Sequence, residues 1–250
     1  MLRVNNLIGF GRSGSIPVNA VDFDAATYLT RGADLDGVSD SPLCLFSCWF
    51  RLDAGDGTLL YFFSNDTNEG FCTVFRDTDN KFKANFYDAT GALSYKLESS
   101  GTVVTGSAWR HIAVSVDTNF AAGNKLGKMY IDGADVTVVA ADAAIAFNIA
   151  FSSATTNFGA MASTAGNGKW NGCIAEYYLA PMQYLALATN IGKFYSAGRP
   201  VSLGGNGSVP TGTPPAVYFN TEAASYGSNA GTGGNYSVTA GSVAGCSSAP

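Results

Sequence analysis

Hydrophobic and polar positions alternate with a period of two along most of the chain, the pattern of strands that bury one face. In LCLFSCWFR (43–51), Cys44, Phe46, Cys48 and Phe50 fall on one face, and Leu45, Ser47 and Trp49 on the other. Both faces are mostly apolar, which predicts a central strand covered on each side. KFKANFYD (81–88) is one-sided: Phe82, Ala84 and Phe86 point inward, Lys81, Lys83 and Asn85 outward. TLLYFFS (58–64), FCTVFR (71–76), RHIAVSV (110–116), KMYIDG (128–133) and CIAEYYL (173–179) carry strand patterns as well. Turn signals separate them at Asp56-Gly57, Asp77 to Asn80, Thr90-Gly91 and Asp132-Gly133. Short strands so punctuated predict an all-β antiparallel sandwich. Only 183–198 has helical spacing, with Leu185, Ala188, Ile191 and Tyr195 on one stripe and Gly198 and Pro200 to stop it. This predicts one short helix.

Segment 201–215, rich in Gly, Pro and Ser, reads as a loop, and AVYFN (216–220) and YSVT (236–239) return to the same sandwich. Before Val21 the strand pattern is absent, and Gly9, Gly11, Gly14 and Pro17 punctuate the chain. The division expected is an N-terminal arm at 1–18, one sandwich at 19–241 and a flexible tail at 242–250.

Composition sharpens this picture. Of 250 residues 46% are hydrophobic and only 13% charged, with 30 glycines, which suits a wide apolar core and argues against disorder. The net charge is −5, and phosphate binding needs clustered Lys and Arg, so nucleic acid is not an expected partner. Residues 1–21 hold Arg3 and Arg12 and no acid, giving a basic arm on an acidic body. MLRVNNLIGFGRSG lacks the apolar core and cleavage site of a signal peptide. No stretch approaches the roughly 20 apolar residues of a membrane span. The five cysteines show no zinc spacing. Cys44 and Cys48, four residues apart on one strand, are separated by roughly 13 Å, too far to bond each other. Reduced, buried thiols are the expectation, with an odd count leaving room for an intermolecular bridge.

The ordered set W-R-H-I-A-V-S-V-D (109–117), M-Y-I-D-G (129–133), N-F-G-A (157–160) and W-N-G-C-I-A-E-Y-Y-L (170–179) resembles the laminin-G-like branch of the concanavalin A-like jelly rolls. Upstream, V-D-F-D-A-A-T-Y-L (21–29) and S-C-W-F-R-L-D-A-G-D-G (47–57) resemble the family's opening strands. The resemblance implies an antiparallel jelly-roll sandwich. One departure is that the family's Ile-Asp-Glu run reads Ile174-Ala175-Glu176 here, which weakens transfer of any metal or ligand role to this strand. P-A-V-Y-F (215–219) followed by N-A-G-T-G-G-N-Y-S-V-T-A-G (229–241) resembles the endings of phage virion proteins that carry such a sandwich.

Candidate chemistry is sparse. His111, the only histidine, shares a face with Trp109, Ala113 and Ser115 and has no evident nucleophile or orienting acid, so packing is its expected role. Glycosidases of this superfamily need two facing carboxyls, and the richest acidic strand offers only Glu176. Asp34 and Asp36 sit before Gly37 in a loop. Catalysis is not expected. Asp53/Asp56, Asp77/Asp79/Asn80 and Asp117/Asn119 supply oxygens that suit calcium, yet the same residues are favoured turn formers, and no cofactor is assigned. Among the aromatics, Trp170 in the Gly-rich GNGKWNG, with Asn171, is the candidate glycan contact.

The function these features imply is a structural component of a phage particle, such as a decoration, collar or tail-associated protein. It would be a homo-oligomer bound to other virion proteins through Arg3, Leu7, Phe10 and Arg12 of the arm, and located in the virion after synthesis in a host cytoplasm. The alternative is a glycan-binding adhesin that recognises host surface polysaccharide.

Overall fold

Two eight-stranded antiparallel sheets lie face to face around a core of aromatic side chains. The computed structural model describes residues 18–64, 72–152, 157–159, 168–239 and 241–250. In chain order the strands begin β1 (Ala20–Asp24), β2 (Tyr28–Thr30), β3 (Leu43–Leu52), β4 (Leu60–Ser64), β5 (Cys72–Arg76) and β6 (Phe82–Tyr87). They continue β7 (Leu93–Ser99), β8 (Arg110–Asp117), β9 (Leu126–Ile131), β10 (Ala134–Asp135), β11 (Thr137–Asp142) and β12 (Asn157–Phe158). The last are β13 (Asn171–Pro181), β14 (Tyr195–Ser196), β15 (Arg199–Pro200), β16 (Val217–Phe219), β17 (Ser237–Thr239) and β18 (Ala244–Gly245).

Sheet A runs β10-β9-β8-β3-β13-β1-β18, with β16 also paired to β13. Sheet B runs β11-β7-β6-β5-β4-β12-β2-β17. The two-faced apolar pattern of 43–51 is explained by the position of β3, between β8 and β13 with side chains buried on both sides. Its inward Phe46 and Phe50 meet Phe62 of sheet B, each with ring centroids 5.5 Å apart, and Phe50 meets Phe82 at 5.1 Å. Its outward Leu45 joins Ala113, Tyr130, Tyr178 and Tyr218 in a second apolar layer, roofed by Leu187, Phe194 and Leu203. Asp132-Gly133 makes the two-residue hairpin between β9 and β10, with φ of 49° and 78° at the two positions, the left-handed pair that matches strand twist.

The one short helix expected near 183–198 is present as a single turn, α1 (Leu187–Asn190), followed by a 3-10 turn at Ile191–Lys193 and the β14-β15 ribbon. No side chain caps α1 at Ala186, and the buried residues are Leu187 and Phe194 rather than the predicted stripe. The segment expected to be a flexible tail is held to the sandwich. β18 pairs with β1, Cys246 is bonded to Cys173, and the Ser248 hydroxyl accepts from Arg51 (2.9 Å) and Trp109 (3.1 Å). This also corrects the expectation that all cysteines are reduced. Cys44, Cys48 and Cys72 are buried and form no disulfide.

Candidate functional site

Sheet A has its outer face roofed by 182–215, so the outer face of sheet B is the one to read for a ligand. Pairing register places same-face side chains opposite one another. One row across this face is Glu98, Lys83, Phe75 and Tyr61 on β7, β6, β5 and β4. The next row is entirely polar: Lys96, Asn85, Thr73, Ser64, Asn157, Thr30 and Ser237. Thr73, Ser64 and Asn157 are buried, whereas Asn85, Tyr87, Lys96 and Glu98 are half-buried, with the Asn85 amide oxygen itself enclosed. The amide oxygen of Asn85 and the hydroxyl of Ser64 have no hydrogen-bond partner among the described residues. An unpaired buried polar atom costs about 1–3 kcal/mol.

The charges on this face are fixed in place. Lys96 Nζ lies 2.8 Å from Glu98, and Lys83 reaches Asp77 (2.5 Å), Asp79 (3.1 Å) and Glu98 (3.7 Å). The Lys96 hydrogen bond holds the Glu98 carboxyl below the usual range, against a smaller opposing effect of burial. Burial works to lower the Lys83 ammonium, but its hydrogen bonds to Asp77 and Asp79 leave it raised. The rings are less available. Tyr61 stacks on Phe75 at 5.1 Å, and a Cβ on Gly168 would come within 2.4 Å of the Tyr61 ring, so this pair is packing. Sequence reasoning placed Lys83 and Asn85 outward but missed Lys96 and Glu98. The signal was there in LSYKLES, where Leu93, Tyr95 and Leu97 alternate with Ser94, Lys96 and Glu98.

The residues singled out in sequence lie elsewhere. Trp170 is fully buried, its ring 4.1 Å from Phe62 and 5.8 Å from Phe50. The expectation that it contacts a glycan is therefore corrected: it is core, because the sheet interior there needs a large side chain beside Phe62. Asn171 is half-buried at the start of β13, opposite Asp24, and is not joined to the sheet B row. Arg3, Leu7, Phe10 and Arg12 lie outside the described residues. His111 is buried under Tyr195, with centroids 5.7 Å apart, its Nε2 2.9 Å from the Ser47 hydroxyl. Burial pushes its pKa down to about 3, so it stays neutral.

The carboxylates that suit calcium are committed elsewhere. Asp53 takes both forks of Arg51, at 2.7 and 2.8 Å. Asp56 accepts from Arg76 and Thr105, Asp77 and Asp79 from Lys83, and Asp117 from the Asn119 N–H. This is turn and ion-pair chemistry. Asp22, Asp53 and Cys173 bring donor atoms within 4.8 Å of one another, but the Cys173 sulfur is spent on the disulfide and Asp53 on Arg51. These residues do not fit a metal. Glu176 is buried on β13, with the Tyr218 hydroxyl donating to its Oε2 at 2.5 Å. Burial raises its carboxyl above the ordinary range and the Tyr218 bond opposes this, with no neighbouring carboxylate acting on it. A facing pair for glycoside hydrolysis is not assembled at Glu176 from the described residues.

Residues 26–180, more than half of the chain, match the model of the Concanavalin A-like lectin/glucanases superfamily. The chain belongs to that superfamily. Among solved structures it is similar to a putative carbohydrate binding protein from Bacteroides ovatus, with a TM-score of 0.58 and 10% identity over 93% of this chain and 61% of that one. This chain thus spans less than two thirds of that protein. It is also similar to a native heptameric SAP-like pentraxin from Limulus polyphemus, with a TM-score of 0.52 and 11% identity over 76% of this chain and 88% of that one. At such identities the likeness is one of fold. No curated protein sequence matches the chain.

Proposed function

We propose that the chain is a glycan-binding module that recognises a polysaccharide through the outer face of sheet B, at Asn85, Tyr87, Lys96 and Glu98. The observation that carries this reading is the polar row held on rigid strands, with Asn85, Lys96 and Glu98 half-buried along its open part. The Asn85 side chain, Lys96 and Glu98 offer donors and acceptors to sugar hydroxyls in fixed geometry. The superfamily and the carbohydrate-binding description of the Bacteroides ovatus protein support it. So does the Cys173–Cys246 disulfide, which suits work outside a reducing cytoplasm. Fold alone does not fix function, so the test is direct. The full chain applied to an array of bacterial surface polysaccharides should bind a subset saturably and release no reducing ends. Absence of any saturable binding would sink the proposal.

A phage particle is the setting we propose for this module, on the strength of the C-terminal pattern and the basic arm. There it acts as an adhesin, anchored to other virion proteins and to further copies of itself through 1–18. Mass spectrometry of purified particles should detect the chain, and deletion of 1–18 should abolish incorporation while leaving glycan binding intact. Particles free of the chain would remove this setting without touching the glycan reading.

A further inference from the structure

One edge of β13 is shared by two partners. β1 pairs with Asn171 to Ala175 and β16 with Tyr177 to Leu179, leaving Glu176 alone between them. On the opposite edge the register against β3 slips: Ala175 faces Trp49 and Tyr178 faces Ser47. Two residues of β13, Glu176 and Tyr177, therefore stand against Cys48 alone, which makes a bulge. At this bulge Glu176 takes φ of 47°, a left-handed backbone that a non-glycine residue adopts only when its surroundings impose it. Such strain in a central strand is a reason to ask what the side chain is aimed at.

It is aimed into a cleft of about 230 Å³ where the start of β1, the end of β16 and the 200–205 loop meet. Val18, Asn19, Ser202, Gly204, Tyr218 and Asn220 are among its lining residues. The side chain of Asn19 donates to the Asn220 carbonyl at 2.8 Å and bridges one wall. Glu176 is only 9% exposed. Its Oε2 is held by Tyr218, and its Oε1 has no hydrogen-bond partner among the described residues. Among the described residues no lysine, arginine or histidine lines the cleft. A carboxyl so desolvated, with one neutral donor, is costly to ionise, and a cationic partner would hold it as the carboxylate. A neutral hydroxyl would satisfy Oε1 and leave the charge uncompensated. An N–H donor that is itself cationic does both, through a hydrogen bond about twice as strong as a neutral one. The volume is below that of drug-sized sites and suits a single compact group.

We propose that the Glu176–Tyr218 cleft binds a compact ligand bearing a primary ammonium group, supplied by an amino sugar or by an amine side chain of a partner. This site is separate from the sheet B face and stands or falls independently of it. The experiment is an NMR titration of the ¹⁵N-labelled full chain with D-glucosamine, D-glucose, N-acetyl-D-glucosamine and N-acetyl-lysine methylamide. Amine-bearing probes should shift the amides of Ser202 to Gly205 saturably, with glucose and N-acetylglucosamine at least tenfold weaker. Preference for glucosamine assigns an amino sugar, and preference for the lysine probe assigns a peptide amine. Glu176→Gln should weaken the amine probes at least tenfold, while Tyr218→Phe, which keeps the carboxylate, should retain them. Equal binding of glucose and glucosamine by the unaltered protein would overturn the proposal, as would the absence of saturable shifts with every amine. Undiminished binding by a folded Glu176→Gln would overturn it too. The neutral-sugar comparison decides the matter even where that variant does not fold.

Discussion

Cys173, fully buried on β13, is bonded to Cys246 across a Cα separation of 6.0 Å and 73 residues of sequence. The Cys246 N–H also donates to the Ala20 carbonyl at 3.0 Å, so the last residues are fixed to two strands of sheet A at once. A cross-link closing a loop of this length stabilises by about 4 kcal/mol in the chain-entropy account. Cys246→Ser should therefore lower unfolding free energy by about 2–4 kcal/mol, read by denaturant titration. Non-reducing peptide mapping should find the 173–246 link and none involving Cys44, Cys48 or Cys72. A bond from Cys173 or Cys246 to any other cysteine would contradict the register of β1, β13 and β18.

His111 gives a pH prediction with a definite sign. Its folded pKa is about 3 against about 6.5 in an unfolded chain. The folded state resists protonation, so the stability contributed is fully present above pH ~6.5 and is lost as pH falls toward 3. His111→Gln keeps a polar partner for Ser47 and removes the titration. Melting temperature measured from pH 7 to pH 4 should fall less steeply in this variant than in the unaltered chain. Parallel curves would show that the imidazole is not sequestered.

Trp170 tests core against surface. Trp170→Ala should cost about 3–5 kcal/mol, because it empties the space beside Phe62 and Phe50. Molecules that remain folded should bind glycan with unchanged affinity. Loss of glycan affinity with little loss of stability would return Trp170 to the surface.

Gly172 carries the β13 backbone past β3 with φ of 129°, and a Cβ there would lie 2.2 Å from the Arg51 carbonyl oxygen. Gly172→Ala should destabilise by more than about 1 kcal/mol, measured by thermal or chemical unfolding. Neutral behaviour would mean that the two strands do not approach as described.

The fold was largely legible because period-two alternation reports directly on sheets. The two-sided pattern of 43–51 placed β3 at the centre, and the outward Lys83 and Asn85 fell where the alternation put them. Features set by distant partners were not legible. The disulfide depends on β18 returning to β1, and nothing in GSVAGCSSAP signals a strand. The short helix within 183–198 was legible from its stripe, whereas its extent and its buried residues, Leu187 and Phe194, were not. Trp170 looked exposed because its segment is rich in glycine, yet Gly168 and Gly172 are there to let the Tyr61 ring and the Arg51 backbone approach closely. The strained position of Glu176 follows from two strands sharing one edge of β13, which no local pattern records.

The central claim is that glycan recognition runs through Asn85 on β6. Once an array identifies a bound polysaccharide, titration calorimetry of its oligosaccharide with the unaltered chain and with Asn85→Ala is the most direct test. Asn85→Ala should weaken binding about tenfold or more, equivalent to about 1.4 kcal/mol, with a melting temperature that does not fall, since its amide oxygen accepts no hydrogen bond among the described residues that truncation would remove. Affinity unchanged within twofold would contradict the assignment of the site to the outer face of sheet B.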